Sequence, residues 1–162
     1  HRSFVSYIDR SREYYAAQGY EQPYRWVAHD EVHFQPLGKP LAECRVGVVT
    51  TSSFPPRSRP AEVPEMPRKQ AYAASVDAVT GPMFTDDLFW AKDETHTDDL
   101  GTYLPFDHLR SLVAAGELGS LSPRFYGVPT SYSSRRTQVR HAPLIAEWMR
   151  DDDIDVALLV PL

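Results

Sequence analysis

Arg45-Val46-Gly47-Val48-Val49-Thr50-Thr51 is a short, β-branched and almost uninterrupted apolar run, and its reading decides the fold. A strand with one wet face alternates apolar and polar residues, whereas a strand covered on both faces reads as continuous Val, Ile and Leu. The segment Ile154-Asp155-Val156-Ala157-Leu158-Leu159-Val160, closed by Pro161, has the same character. Two such runs with helical patterns between them predict helices packed over a mostly parallel sheet. The expected fold class is α/β, with three layers and a flavodoxin-like arrangement.

Between the two runs, Leu104-Pro105-Phe106-Asp107 opens a helix that carries Leu109, Leu112 and Val113 on one face and stops at Gly116. Ser122 to Tyr126 reads as a short strand. His141-Ala142-Pro143 leads into a second helix with Leu144, Ile145, Trp148 and Met149 toward the core. Asp151, Asp152 and Asp153 oppose the negative end of that helix and mark its turn. The prolines Pro55, Pro56, Pro60, Pro64 and Pro67 forbid regular structure from Ser52 to Pro67, so a long surface loop or lid is expected there. Val76 to Asp99 is aromatic and acidic without a clean period and supports no assignment. Upstream, Phe4, Tyr7, Ile8, Tyr14 and Tyr15 recur at helical spacing, with Ser3 as a cap and Gly19 as a stop. Pro23 to Pro40 reads as an extended lead-in that packs Trp26 and Phe34. The resulting division is residues 1–40 as helix and lead-in, and 41–162 as an α/β domain incomplete at its C-terminal end.

Composition narrows the function classes. The net charge of −5 argues against general nucleic-acid binding, which depends on neutralising phosphates. No apolar run reaches membrane-spanning length, and the N-terminal region lacks the apolar core of a signal peptide. Cys44 is the single cysteine, so neither an internal disulfide nor a multi-cysteine metal site is possible within these residues. Together these features place the protein in the cytoplasm, and Cys44 reads as a structural thiol.

Ligands of open parallel sheets bind beyond the carboxyl ends of the strands. At one such end stand four consecutive hydroxyl residues, Thr50, Thr51, Ser52 and Ser53, able to hold a carboxylate or phosphate. The run lacks the glycines of a phosphate loop, and a plain polar turn is the alternative reading. In Glu94-Thr95-His96-Thr97-Asp98-Asp99, an extended backbone points His96 and Asp98 to one face, as for a general base or a metal ligand pair. A loop-fixing cluster is the alternative there, and two candidate ligands do not make a metal site. His108 and His141 read as surface or helix-start residues. Arg124, Arg135, Arg136 and Arg140 are the one basic concentration, suited to clamping an acidic group. Their Ser and Thr neighbours favour solvated loop instead.

Several segments, in order, resemble the selenoprotein B family of glycine, sarcosine, betaine and D-proline reductases. They are Pro23-Tyr24-Arg25-Trp26, Pro36-Leu37 ahead of Arg45 to Thr51, and His96-Thr97-Asp98 followed by Leu104-Pro105 and its helix. Gly116-Glu117-Leu118-Gly119 and Asp155-Val156-Ala157-Leu158-Leu159-Val160-Pro161 complete the set. The resemblance implies an oxidoreductase, with a disulfide as acceptor, that reductively cleaves C–N bonds of amino acids or betaines. A selenocysteine or cysteine immediately after Leu162, with further cysteines closely following, would be its nucleophile, because the anion of such a group is the reactive form. On that reading Thr50, Thr51, Ser52 and Ser53 bind a small amino-acid or betaine-like substrate, while His96 and Asp98 orient or protonate it. The resemblance also implies a pyruvoyl-type partner subunit and an oligomer. The chain is expected to end at a selenocysteine codon read as stop, or at a cleavage there, and to be inactive alone. It carries no cofactor of its own on this reading. The Phe54 to Pro67 segment departs from the family and would alter substrate choice. A non-catalytic small-ligand-binding or scaffold domain on the same fold is the competing expectation.

Overall fold

The computed structural model describes residues 6–20, 22, 31, 35–61, 63, 69–85, 87, 90, 91, 93–131 and 133–162. The chain divides into two compact units, His1–Phe34 and Gln35–Leu162. In the first unit, α1 (Ser6–Ala17) follows the predicted helical spacing and stops where Gly19 takes φ +87°. Tyr7, Tyr14 and Tyr15 stand exposed on it. Ser3, Phe4, Trp26 and Phe34, with the lead-in from 23 to 30, lie outside the described residues.

The second unit is built on β1 (Arg45–Thr50). Along one of its edges run two successive pieces, β3 (Ser120–Leu121) and β4 (Arg124–Gly127), both parallel to β1. Along the other edge lies β5 (Val156–Val160), parallel in the register Val46↔Val156 to Thr50↔Val160. Outside β4, β2 (Tyr72–Ser75) pairs antiparallel, Tyr72 opposite Gly127 and Ser75 opposite Arg124. The sheet is therefore mixed and mostly parallel, an α/β architecture with the Arg45 run at its centre.

Alternation along the central strands feeds two separate apolar clusters. Val46, Val48 and Phe125 pack with Phe106 and Leu109 of α2 (Phe106–Ala114), while Val49 and Tyr126 pack with Ile145, Trp148 and Met149. Those last three belong to α4 (Ala142–Asp151). Successive strand residues point to opposite faces, so α2 and α4 cover opposite sides of the sheet. Helix α2 ends near Gly116, whose φ of +73° is the left-handed stop anticipated from sequence. Leu112, expected in its apolar face, is exposed.

Three expectations need correction. The second helix does not begin at His141. A helical run starts seven residues earlier, with α3 (Ser134–Arg136) capped by the Ser133 side chain, and passes through a π turn (Thr137–His141) into α4. Arg135, Arg136 and Arg140 are therefore helical rather than loop residues. Their Ser-rich lead is a cap, since a serine oxygen accepts from the free amides of a first turn. The strand β2 was invisible because Tyr-Ala-Ala-Ser has little strand propensity and gains its conformation by pairing with β4. Lastly, Asp152 is more than a turn marker, as its partners below show.

The loop from Ser52 to Pro67 contains no helix or longer strand among its described residues, and Ser53 bridges to Phe84 through paired backbone hydrogen bonds. Phe54 and Val63 are buried, so proline-rich sequence here wraps the core rather than standing off it. Cys44 is buried, with its thiol against the Pro40 carbonyl at 3.4 Å. Among the described residues no helix is long and apolar enough to cross a membrane.

Candidate functional site at the carboxyl edge of the sheet

The two ends of the sheet differ in charge. At the amino end Lys39 and Arg124 pair with carboxylates and Arg45 with a carbonyl. Asp152, just past α4, accepts from Arg124 Nε and a terminal nitrogen at 2.8 Å each and from the Tyr126 hydroxyl at 2.5 Å. Its backbone carbonyl takes Arg45 Nη1 at 2.8 Å. Asp155 accepts from the Arg45 amide at 2.8 Å and pairs with Lys39 at 2.7 Å. Burial pushes the Asp152 carboxyl upward, but the Arg124 guanidinium and the Tyr126 hydroxyl outweigh it and hold it below its ordinary range. Burial, with the Asp152 bond, drives the Tyr126 phenol well above its usual value. This is a closed electrostatic knot that ties α4, β4 and β1 together.

At the carboxyl end the chain leaves β1 through the proline-rich loop that returns to β2, and leaves β4 toward the helical run of α3 and α4. Ligands of open α/β sheets bind beyond strand ends of this kind. The hydroxyl run lies there, with Thr50, Ser52 and Ser53 buried and Thr51 half-buried. Thr50 Oγ1 donates to Ser52 Oγ at 3.2 Å and accepts from the Ser52 amide at 3.1 Å. The Thr51 hydroxyl binds the backbone of Leu162, accepting from its amide at 2.8 Å and donating to its carbonyl at 3.0 Å. That pair locks the end of β5 beside the end of β1.

Tyr72 completes the floor. Its ring lies across Gly127, where an added Cβ would come within 1.9 Å of it, and its hydroxyl donates to the Ser52 carbonyl at 2.7 Å. Only a glycine permits that crossing, which couples β2, β4 and β1 at one point. Burial pushes the Tyr72 phenol well above its ordinary value, so it is a neutral donor.

Beyond β4, Val128 donates to the Thr50 carbonyl and the chain runs through Thr130 and Ser131 to the Ser133 cap. Facing it is Lys69, three residues before β2 begins at Tyr72, in a left-handed conformation at φ +46°. Lys69 Nζ donates to the Thr130 carbonyl at 3.3 Å. His141, at the end of the π turn, is buried beside the same loop, with the Lys69 backbone carbonyl against its ring. Burial lowers its pKa below the ordinary histidine value, and the positive charges of Arg136 and Arg140 add to that lowering. Its Nδ1 and the Thr130 hydroxyl oxygen are both buried with no hydrogen-bond partner. Sequence reading placed His141 at a helix start and missed this group. The signal available was the cluster Thr130-Ser131 to Arg136 following a strand.

His96 and Asp98 are elsewhere. They are exposed and 3.4 Å apart, with the Asp98 amide directed at His96 Nδ1. Asp98 and Asp99 help line a cavity of about 520 Å³ together with Asp77, Asp107, His108 and Arg110. Asp77 follows the Ser75 end of β2, which pairs with the start of β4, so this acidic cavity opens at the amino side of the parallel strands. No hydrogen bond or shared cavity lining brings the His96–Asp98 pair to Thr50, Thr51, Ser52 and Ser53 among the described residues. Among those residues, too, no group of three or more His, Cys, Asp or Glu is arranged to hold a metal ion.

No protein-family model, no curated protein sequence and no solved structure matches the chain.

Proposed function

We propose that the chain is the substrate-handling part of a selenol- or thiol-dependent reductase that cleaves C–N bonds of small amino acids or betaines. The fold on this reading is flavodoxin-like and three-layered, and the protein works in the cytoplasm. The single observation that carries the proposal is the double hydrogen bond between the Thr51 side chain and Leu162. It holds the end of β5 against the hydroxyl run, so a residue following Leu162 emerges beyond the carboxyl ends of β1 and β5. A selenocysteine or cysteine there would supply the nucleophile, entering at the position where ligands of such sheets bind.

The ordered resemblance to selenoprotein B reductases supports the same assignment. The roles of this chain's own residues follow from their placement. Thr51 fixes the β5 terminus, Tyr72 and Ser52 form a rigid floor, and the Lys69 and Thr130 segments face the opening. The reading rests on this edge and draws nothing from the distant His96–Asp98 pair. A pyruvoyl-type partner subunit and oligomerisation belong to the proposal through the resemblance alone.

The test uses the chain extended past Leu162, supplied with a dithiol reductant and with glycine, sarcosine, betaine or D-proline. C–N cleavage, read as release of the amine or, for D-proline, as opening of its ring, and its loss when the residue after Leu162 is replaced by Ser, is the expected result. Cleavage that is unaffected by that replacement, or absent with every substrate and partner, overturns the assignment. In the latter case the chain becomes a binding domain.

A further inference from the structure

The cations at the two ends of the sheet are treated differently by the fold. At the amino end Lys39 and Arg124 are paired with the carboxylates of Asp155 and Asp152. Lys69, Arg136 and Arg140 at the carboxyl end have no carboxylate partner among the described residues, in a protein whose net charge is −5. Cations with no carboxylate partner among the described residues, next to buried polar atoms with nothing to bind, hold a place for an anion.

We propose that Lys69, Thr130 and His141 form a binding site for a small carboxylate. Two buried polar atoms point to it independently of the charges. The Thr130 hydroxyl and His141 Nδ1 have no partner, although burying a polar group without one costs about 1–3 kcal/mol. Such a cost persists where a ligand removes it. The backbone of Lys69 adds a third sign, since a non-glycine residue at φ +46° is strained, and strain of this kind collects at ligand sites. The π turn ending at His141 is likewise a distortion that recurs at functional sites.

Chemistry selects the ligand. A carboxylate has two acceptor oxygens, which match the Lys69 ammonium and the Thr130 hydroxyl as donors. His141 becomes a third donor when it takes a proton from solvent on Nδ1. The charged groups around the ring are Arg136 and Arg140 on its own helical run, with the Lys69 carbonyl from the facing loop. No described carboxylate is among them, so the ring is neutral in the free protein. An entering anion offsets the two arginines and favours the imidazolium, so binding near neutral pH draws in a proton. If the proposed reductase reading holds, this is where the carboxylate of the amino acid or betaine sits, and to that extent the assignment rests on that reading.

Titration calorimetry on this chain with acetate, glycine and betaine, at pH 7 in buffers of different ionisation heat, tests the site. The wild type is expected to bind all three with uptake of a proton. Lys69→Gly relieves the left-handed strain while removing the ammonium. It should therefore weaken binding roughly tenfold or more without lowering the melting temperature. Thr130→Val, close in shape, should weaken it roughly fivefold, and His141→Gln should abolish the buffer dependence. Absence of binding in the wild type, or unchanged affinity in both Lys69→Gly and Thr130→Val, overturns the proposal. So does binding of inorganic phosphate in place of the carboxylates. Binding is read on this chain and reductase turnover on the extended one, so either proposal can fail while the other stands.

Discussion

Replacing Asp152 by Ala should unfold the sheet domain more readily than any other single change at an exposed helix end, and the size of the effect can be worked from the contacts. The Tyr126 ring is fully buried, and its hydroxyl, bound to Asp152 at 2.5 Å, would lose its acceptor. An orphaned buried hydroxyl costs about 1–3 kcal/mol. The Arg124–Asp152 pair adds less, because the arginine side chain is 37% exposed and solvent screens it. A value of about 1 kcal/mol, near the top of the range for exposed pairs, is appropriate there. The sum is about 2–4 kcal/mol, or a melting-temperature drop of about 5–15 °C for a chain of this length.

Urea unfolding followed by tryptophan fluorescence gives the difference directly. A cycle with Tyr126→Phe should show coupling of about 1 kcal/mol or more between the two residues. The pH dependence has a definite sign. The Asp152 carboxyl titrates lower in the folded than in the unfolded chain. Its contribution is therefore complete above the unfolded value of 3.8 and is lost as the pH falls through the lowered folded value. The gap between wild type and Asp152→Ala should hold steady from about pH 7 to pH 5 and close below about pH 4. A gap under about 0.5 kcal/mol at neutral pH, the size of an ordinary surface substitution, would refute the reasoning. So would a gap that widens on acidification.

Two further predictions probe the backbone. Gly127→Ala places a methyl inside the Tyr72 ring position, and should cost about 3 kcal/mol or more by displacing the ring and its bond to Ser52. Circular dichroism melting reads the loss, and a wild-type melting curve would contradict the packing described. Asp153 holds φ +53° just past α4 and is exposed, so Asp153→Gly should stabilise the domain by about 0.5–1 kcal/mol. A destabilised variant would mean that the Asp153 side chain has a role in the turn.

The central strand β1 was legible in the sequence because a strand covered on both faces announces itself in Val46 to Val49. The Val156 to Val160 run was read in the same way and is a strand, but it lies at the sheet edge, paired with β1 alone, and Leu158 and Leu159 are exposed. The stops at Gly19 and Gly116 were legible for an equally local reason. The antiparallel β2 was not, since its conformation is imposed by β4 and not by Tyr72, Ala73, Ala74 and Ser75 themselves. Nor was the early start of the last helix, where the cap at Ser133 resembled loop chemistry. Of the candidate site, Thr50 to Ser53 could be assigned to a strand end, but its tie to Leu162 spans the chain and leaves no local trace. The Lys69–Thr130–His141 group joins three segments by tertiary folding, and none of them carries a motif. The His96–Asp98 pair was visible from its local spacing, and the fold places it on an exposed loop, away from the hydroxyl run it was read with.

The central claim is that the strand ends beside Thr51 and Leu162 receive a chalcogen nucleophile from the residue after Leu162. Reading the codons downstream of Leu162 in the native gene tests it most directly. The account predicts UGA or a cysteine codon there, with further cysteine codons close by in the same frame. Any other codon at that position, with no cysteine codons nearby, would contradict it and leave a ligand-binding fold without a redox centre.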